Sequence, residues 1–243
     1  MKRTFGSIVC LLLLLGSMAA QTSGAKTTPV PAQAKSGGGD LERVLDDMDK
    51  AAASFKSAQA DFVWDQFSKV VNDHDFQKGV IYYRVAGKEV QMAADISEPS
   101  KKYVLFAKGE VDVYQPDIEQ ATAYSAGKNK ADFESFLVLG FGGRGHDLQK
   151  SFDVAYNGDE TIDSIKAAKL TLTPKTSKVK NMFSQILLWI DPERGISVRQ
   201  QFIEPSGDYR LAKYANIKLN QKIGDDVFKL KTTGKTKWVR PQG

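Results

Sequence analysis

The sequence predicts a mainly β fold of the α+β class, in which a curved antiparallel sheet forms an open half-barrel and helices cover its concave apolar face. From residue 61 onward, short segments alternate between apolar and polar residues, and turn-forming residues such as 191–195 and 204–208 separate them. Before these segments, and once between them, apolar residues recur at helical spacing instead. A strongly curved sheet leaves a concave apolar face, so two apolar helices are a natural lid.

The N-terminal residues have the order of a targeting segment. Lys2 and Arg3 precede an apolar run at 5–15, and small residues follow as far as Ala20. We therefore assign residues 1–20 to a secretory signal peptide. The single cysteine, Cys10, lies within the apolar run and not at a cleavage point, so we expect neither a disulfide nor a lipid anchor in the mature chain. The expected location is the periplasm, in soluble form.

Residues 21–39 are polar and small and have little apolar surface to bury, so we interpret them as a flexible linker. One domain is predicted for residues 40–243. It opens with an amphipathic helix that Asp40 caps and that carries an apolar stripe: Leu41, Val44, Leu45, Met48, Ala52 and Phe55.

The period of the pattern then changes to two, which is typical of half-buried strands. Gly87-Lys88 and Pro116-Asp117 mark turns between some of them. The predicted strands are 61–65, 80–83, 89–96, 103–106, 110–114, 118–124, 152–156, 168–173, 186–190, 196–203, 209–219 and 227–230.

A second helix interrupts the strands. Asn129 provides its cap, Gly140 its stop, and Phe133, Phe136 and Leu137 share one face. The glycines that follow, in 141–145, lack the Lys-Ser/Thr pair of a nucleotide loop, so a hinge that lets a lid move is the preferred interpretation.

Several function classes are disfavoured by the residues present. The formal net charge is only +5, and the 34 Lys and Arg residues are mixed along the chain with 29 Asp and Glu residues. A nucleic-acid-binding protein would instead cluster its basic residues in a stripe with a larger excess. His74 and His146 have no adjacent set of metal ligands, and we expect no metal and no cofactor. No serine or threonine has a neighbouring base that would activate it. The sequence therefore predicts a protein that is not an enzyme.

The apolar residues of the strands and of the second helix are more informative. An ordinary packed core explains many of them, but a half-barrel wide enough to hold helices can enclose a cavity. Arg84 alternates with Val80 and Tyr82 on a strand with two apolar faces, so its pattern leaves open whether it points inward or is exposed. The candidate cavity residues are Phe62, Trp64, Tyr82, Val90, Met92, Phe133, Phe136, Leu137 and Phe141.

Several short motifs occur in one order along the chain. Gly79 and Arg84 share a strand, residues 114–123 read Tyr-Gln-Pro-Asp-Ile-Glu-Gln-Ala-Thr-Ala, residues 172–175 read Leu-Thr-Pro-Lys, and residues 228–230 read Phe-Lys-Leu. In their residues and in their order along the chain, these motifs resemble those of the outer-membrane lipoprotein carrier proteins, the LolA family. The similarity extends over most of the mature domain.

The resemblance implies an open antiparallel barrel, closed by helices, with an apolar cavity that receives lipoprotein acyl chains. It also implies that Arg84 is a lid latch, which hydrogen-bonds the lid backbone and switches between closed and open forms. The implied partners are an inner-membrane ABC transporter, which delivers the cargo, and an outer-membrane acceptor. We expect a monomeric periplasmic carrier. A carrier of glycolipid or another amphiphile, and a non-catalytic envelope sensor or interaction domain, are the alternatives.

Overall fold

The computed structural model describes residues 38–87, 89–125 and 139–241. Within these ranges twelve strands form a single sheet. The strands are β1 (Ser57–Ser68), β2 (Asp73–Ala86), β3 (Glu89–Glu98), β4 (Lys102–Ala107), β5 (Glu110–Gln115), β6 (Gln120–Ser125), β7 (Phe152–Ile162), β8 (Ile165–Pro174), β9 (Gln185–Asp191), β10 (Ile196–Ile203), β11 (Tyr209–Leu219) and β12 (Lys237–Val239). The helices are α1 (Gly38–Ser54), α2 (Gly145–Ser151) and α3 (Ser177–Lys180), with 3-10 helices at Pro116–Ile118 and Asp225–Phe228.

The sheet runs in the order β12-β6-β5-β4-β3-β2-β1-β11-β10-β9-β8-β7. Its neighbouring strands are antiparallel except for β12, which lies parallel to β6. Because β12 and β7 end the order without pairing with each other, the sheet is open. The predicted fold class, one large open antiparallel sheet with helices, is therefore confirmed.

Helix α1 packs against the sheet through the apolar stripe that the sequence predicts. Val44, Leu45 and Met48 are buried on it, and they form one cluster with Leu170 of β8 and Leu188 of β9. The helix already includes Gly38, so Asp40 lies in its first turn and is not its cap. A carboxylate there still stabilises the positive end of the helix dipole.

The face of the sheet that α1 covers continues across the molecule. Directly paired residues point to the same side of a sheet. Leu188 pairs with Gln200, Gln200 with Ala212, and Ala212 with Trp64. Trp64 therefore shares a face with the residues under α1, and we call this the inner face.

The opposite face, here called the outer face, is partly covered by the end of the chain. Tyr82, Ala93 and Leu105 pair in one row, and Phe228 is buried against them. The strand predicted at 227–230 is wrong. A 3-10 helix forms at Asp225–Phe228 instead, because this segment lies on top of the sheet rather than pairing at its edge.

The turn at Pro116 is a 3-10 helix that ends at Glu119 in the left-handed region, with φ of 48°. The hairpin predicted at 114–123 is thus present, with its second strand beginning at Gln120. In the described ranges no helix is both long and apolar enough to cross a membrane.

Candidate functional site

An aromatic group on the inner face surrounds Phe141. Phe141 has 0% of its surface exposed. Its ring stacks on Tyr83 of β2 with centroids 5.1 Å apart, and it meets Tyr214 of β11 edge-on at 4.9 Å. Since Phe141 belongs to a turn and not to a strand, this turn places one aromatic side chain over the inner face, against side chains from β2 and β11, the two strands on either side of β1.

Polar contacts fix the turn that carries Phe141. The backbone N–H of Ser197 donates to the carbonyl of Gly140 at 2.8 Å. The Gln200 side-chain amide donates to the carbonyl of Leu139, and the Tyr214 hydroxyl donates to the Gln200 side-chain oxygen at 3.1 Å. Two strands, β10 and β11, therefore hold the turn through a short chain of hydrogen bonds.

Two glycines allow this turn to lie so close to the sheet. Gly140 has φ of +77° and Gly142 has φ of +81°, which side chains other than glycine adopt with difficulty. A Cβ on Gly140 would collide with the Ser197 side chain, and a Cβ on Gly142 would collide with the ring of Phe55. The insertion of Phe141 thus depends on glycine at both flanking positions.

The inner face beyond α1 is apolar over a wide area. Phe62 and Trp64 of β1 have ring centroids 4.3 Å apart. Among the described residues of this cluster, those from outside the strands are Phe55 and Phe141. The buried strand residues are Ala58, Ala60, Phe62, Ile81, Tyr83, Met92, Ala94, Ile96, Val104, Phe106, Val111, Val113, Ile196, Ala212 and Tyr214.

This cluster contains two buried phenols, those of Tyr83 and Tyr214. Burial raises the pKa of Tyr83 and that of Tyr214, and the two side chains are also hydrogen-bonded to each other. Both phenols are therefore neutral at physiological pH. Neutral aromatic and aliphatic side chains suit an apolar ligand and do not suit an ionised one.

The structure places five of the predicted cavity residues on the inner face. Phe62, Trp64, Met92 and Phe141 belong to the cluster just described. Val90 lies half-buried on the same side of β3, since Val90 and Met92 are two residues apart in the strand. Phe133, Phe136 and Leu137, and most of the predicted second helix, lie outside the described residues. The role of all these side chains in ligand binding remains a prediction.

Tyr82 requires a correction, because it points to the outer face and packs with the cluster around Phe228. Its neighbours Ile81 and Tyr83 occupy the inner face. Both sides of β2 are apolar because the C-terminal segment covers the outer side, and the sequence pattern alone could not tell the two sides apart.

Arg84 also lies on the outer face, so the alternative in which it points inward is wrong. Its Nη1 donates to Asp225 Oδ1 at 2.5 Å, and its Nε donates to Gln91 Oε1 at 2.7 Å. Its guanidinium carbon lies 4.2 Å from the centre of the Phe228 ring. These contacts tie β2 to the C-terminal segment, so a latch that joins Arg84 to a lid on the inner face has no support in this arrangement.

The sequence analysis missed Tyr83, Tyr214 and Gln200. Tyr83 could have been found, because it alternates with Ile81 in the same way as Tyr82 alternates with Val80. Tyr214 likewise alternates with Ala212. No local signal marks Gln200, because its carbonyl partner at Leu139 is distant in sequence.

The two histidines lie away from this site. His74 Nδ1 is 2.7 Å from Asp65 Oδ1. His146 belongs to α2 and contacts α1, with Nδ1 3.0 Å from Asp49 Oδ2 and Nε2 3.1 Å from Glu42 Oε2. In the part of the chain that the structure describes, no group of three or more His, Cys, Asp and Glu side chains could hold a metal ion.

Comparison with protein families gives one clear match. Residues 53–231 match the family described as "Outer membrane lipoprotein carrier protein LolA". This range includes the strands β1 to β11 and the segment that packs against Arg84. A search of curated proteins finds no match to the sequence.

Solved structures with this fold have low sequence identity. An uncharacterized conserved protein from Thermus thermophilus aligns with a TM-score of 0.53 and 13% identity, over 83% of this chain and 99% of that one. MucB aligns with a TM-score of 0.52 and 15% identity over 82% of this chain. The alignment spans 65% of MucB, just under two thirds of its length. At such identities the likeness shows the fold alone.

Proposed function

Because the chain belongs to the LolA family of outer-membrane lipoprotein carrier proteins, we propose that it binds lipoprotein acyl chains on its inner face and carries them from the inner to the outer membrane. The observation that carries this proposal is the insertion of Phe141 between Tyr83 and Tyr214. A side chain that comes from a turn can withdraw without breaking the sheet.

In the proposed cycle Phe141 occupies, in the ligand-free form, space that an acyl chain takes in the loaded form. Burial of an acyl chain contributes about 0.8 kcal/mol per methylene, so one long chain supplies roughly 10 kcal/mol. Withdrawing a buried Phe costs about 3–5 kcal/mol, and releasing its turn also costs the two hydrogen bonds to β10, about 1 kcal/mol each. The first quantity exceeds the second, so a bound chain is held out of water even though Phe141 has been displaced. The return of Phe141 assists release because it replaces the departing chain.

The proposal includes the cell compartment and the partners. The signal peptide assigned to residues 1–20 would deliver the protein to the periplasm. We also propose delivery by an inner-membrane ABC transporter and transfer to an outer-membrane acceptor, on the basis of membership of the family. The cycle needs reversible burial of apolar surface and no covalent step.

Titration with a synthetic triacylated lipopeptide tests the role of Phe141. We expect Phe141→Ala to bind the lipopeptide roughly tenfold or more tightly than the wild type, because the side chain that must withdraw has been removed. Phe202→Ala is the matched control. Phe202 lies on the inner face in the half that α1 covers and packs against Phe183 at 5.3 Å.

Tighter binding by Phe141→Ala with unchanged binding by Phe202→Ala is the expected result. No lipopeptide binding by the wild type, or equal effects of the two substitutions, would reject the proposal.

Native mass spectrometry of the protein isolated from the periplasm identifies its natural cargo. A triacylated peptide supports the proposal, a glycolipid supports the alternative amphiphile, and a stoichiometric protein without lipid supports an interaction domain.

A further inference from the structure

The turn between β1 and β2 exposes two aliphatic side chains at its tip. Val70 is 88% exposed and Val71 is 68% exposed. Hairpin turns ordinarily present polar or small residues there. The tip is nevertheless anchored, since the backbone N–H of Lys69 donates to Asp208 Oδ1 in the neighbouring β10–β11 turn at 2.8 Å.

A layer of aromatic rings lies directly behind this tip. Phe67 and His74 are paired across β1 and β2, with ring centroids 4.8 Å apart. Phe67 stacks on Tyr209 at 5.0 Å, and His74 stacks on Phe76 at 5.7 Å. Phe76 is 52% exposed, so the aromatic layer itself reaches solvent.

The order of these residues along the hairpin matches the depth profile of a lipid bilayer. Aliphatic side chains lie at the tip, and aromatic rings follow on the adjoining ends of β1 and β2. In membrane proteins aliphatic residues occupy the hydrocarbon region, while aromatic residues with polar atoms lie at the interface. Interfacial segments enter a bilayer by about 5–10 Å. We propose that the β1–β2 hairpin tip inserts into the surface of a lipid bilayer.

The charges near the tip favour a zwitterionic surface over an anionic one. Lys69 precedes the valines, but Asp73 and Asp75 follow them. His74 is engaged with Asp65, and Lys78 forms an ion pair with Glu98 at 2.8 Å. The tip therefore has no basic excess, and insertion is driven by apolar burial rather than by attraction to anionic lipid.

This membrane contact goes beyond the proposed carrier function and involves a different part of the molecule. The tip lies at one end of the sheet, and the rings behind it are on the outer face, because Phe67 and the inner-face Trp64 are three residues apart in β1. The acyl-chain site lies on the inner face. A docked tip would hold the carrier beside the bilayer while its cargo is exchanged.

Cosedimentation with vesicles of phosphatidylcholine and phosphatidylethanolamine tests the contact. We expect the wild-type protein to sediment with the vesicles, and the affinity to change little between low and high salt. The double variant Val70→Asp/Val71→Asp should lose roughly tenfold or more in affinity. Val85→Asp is the matched control, since Val85 is 44% exposed and lies at the far end of β2.

The proposal is overturned if the wild type does not sediment with vesicles, or if the double variant sediments equally well. Self-association that the double variant abolishes, without vesicle binding, would assign the tip to contact with a second copy and would also overturn it. Lipopeptide titration of the same double variant separates the two functions. Retained lipopeptide affinity with lost vesicle binding shows that the tip acts on the membrane and not on the cargo site.

Discussion

Arg84 on β2 and Asp225 in the C-terminal 3-10 helix form an ion pair across the outer face, with 2.5 Å between Nη1 and Oδ1. The same guanidinium covers the ring of Phe228 at 4.2 Å. Asp225 has a lowered pKa, first because of the hydrogen bond from Arg84 and then because of its charge. Arg84 therefore holds the end of the chain against the sheet.

We expect Arg84→Leu to loosen this C-terminal segment. The substitution removes the donor to Asp225 and the cation above Phe228, so the segment should open more often. Limited proteolysis, with cleavage sites mapped by mass spectrometry, should show several-fold faster cleavage at 221–231. Lys78→Ala, which removes an exposed ion pair from the same strand, is the control. Equal cleavage in Arg84→Leu and the wild type would contradict this role.

Gly140 should tolerate alanine poorly. Its φ of +77° is strained for alanine, and the added Cβ would collide with the Ser197 side chain. We expect the free energy of unfolding in urea to fall by at least about 1 kcal/mol. Gly158→Ala separates the two causes, because Gly158 has φ of +84° with open space around its Cβ position. If both variants lost the same stability, the close packing of the Phe141 turn would have no energetic importance.

The two faces of the sheet should differ in their effect on ligand binding. Trp64 lies on the inner face and Tyr82 lies on the outer face. We expect Trp64→Ala to weaken lipopeptide binding several-fold, since it removes apolar contact area, and Tyr82→Ala to leave it unchanged. Isothermal titration of both variants measures the difference. A larger loss of lipopeptide affinity for Tyr82→Ala than for Trp64→Ala would place the binding site on the outer face and contradict our account.

His146 should make stability depend on pH. Hydrogen bonds to Glu42 and Asp49 raise the pKa of His146 in the folded protein. The imidazolium therefore stabilises the contact between α1 and α2 fully below about pH 6.5, the ordinary pKa of His in an unfolded chain. This stabilisation is lost as pH rises through the raised folded-state pKa.

We expect His146→Gln to reduce the free energy of unfolding more at pH 5.5 than at pH 8.5. Urea denaturation at the two pH values measures the difference, and a proton NMR titration of the imidazole measures the pKa itself. An equal loss at both pH values would mean that the contact acts by packing alone.

The sequence analysis succeeded where one side of a strand faces solvent or polar groups. The alternation of Phe62 and Trp64 with aspartates identified β1 and the side of it that lies inward. On β2 the same reasoning failed, because both sides are buried and Tyr82 is as apolar as Tyr83. The cover over the outer side comes from residues far along the chain, which alternation cannot detect.

Other elements were too short or too dependent on distant contacts to be predicted. Helix α2 has seven residues and α3 has four, which is too few for a helical period to emerge. Strand β12 has three residues, and it exists through pairing with β6 more than a hundred residues earlier. The predicted hinge at 141–145 coincides with the turn that places Phe141, but two of its glycines are explained by close contacts, Gly142 with Phe55 and Gly145 with Leu45.

The central claim is that acyl chains bind on the inner face of the open sheet. A triacylated lipopeptide with a photoreactive diazirine in one acyl chain tests it most directly, with labelled residues identified by mass spectrometry. Our account predicts labels on inner-face residues such as Phe62, Tyr83 and Phe106. Labels confined to outer-face residues such as Tyr82 and Leu105 would contradict it.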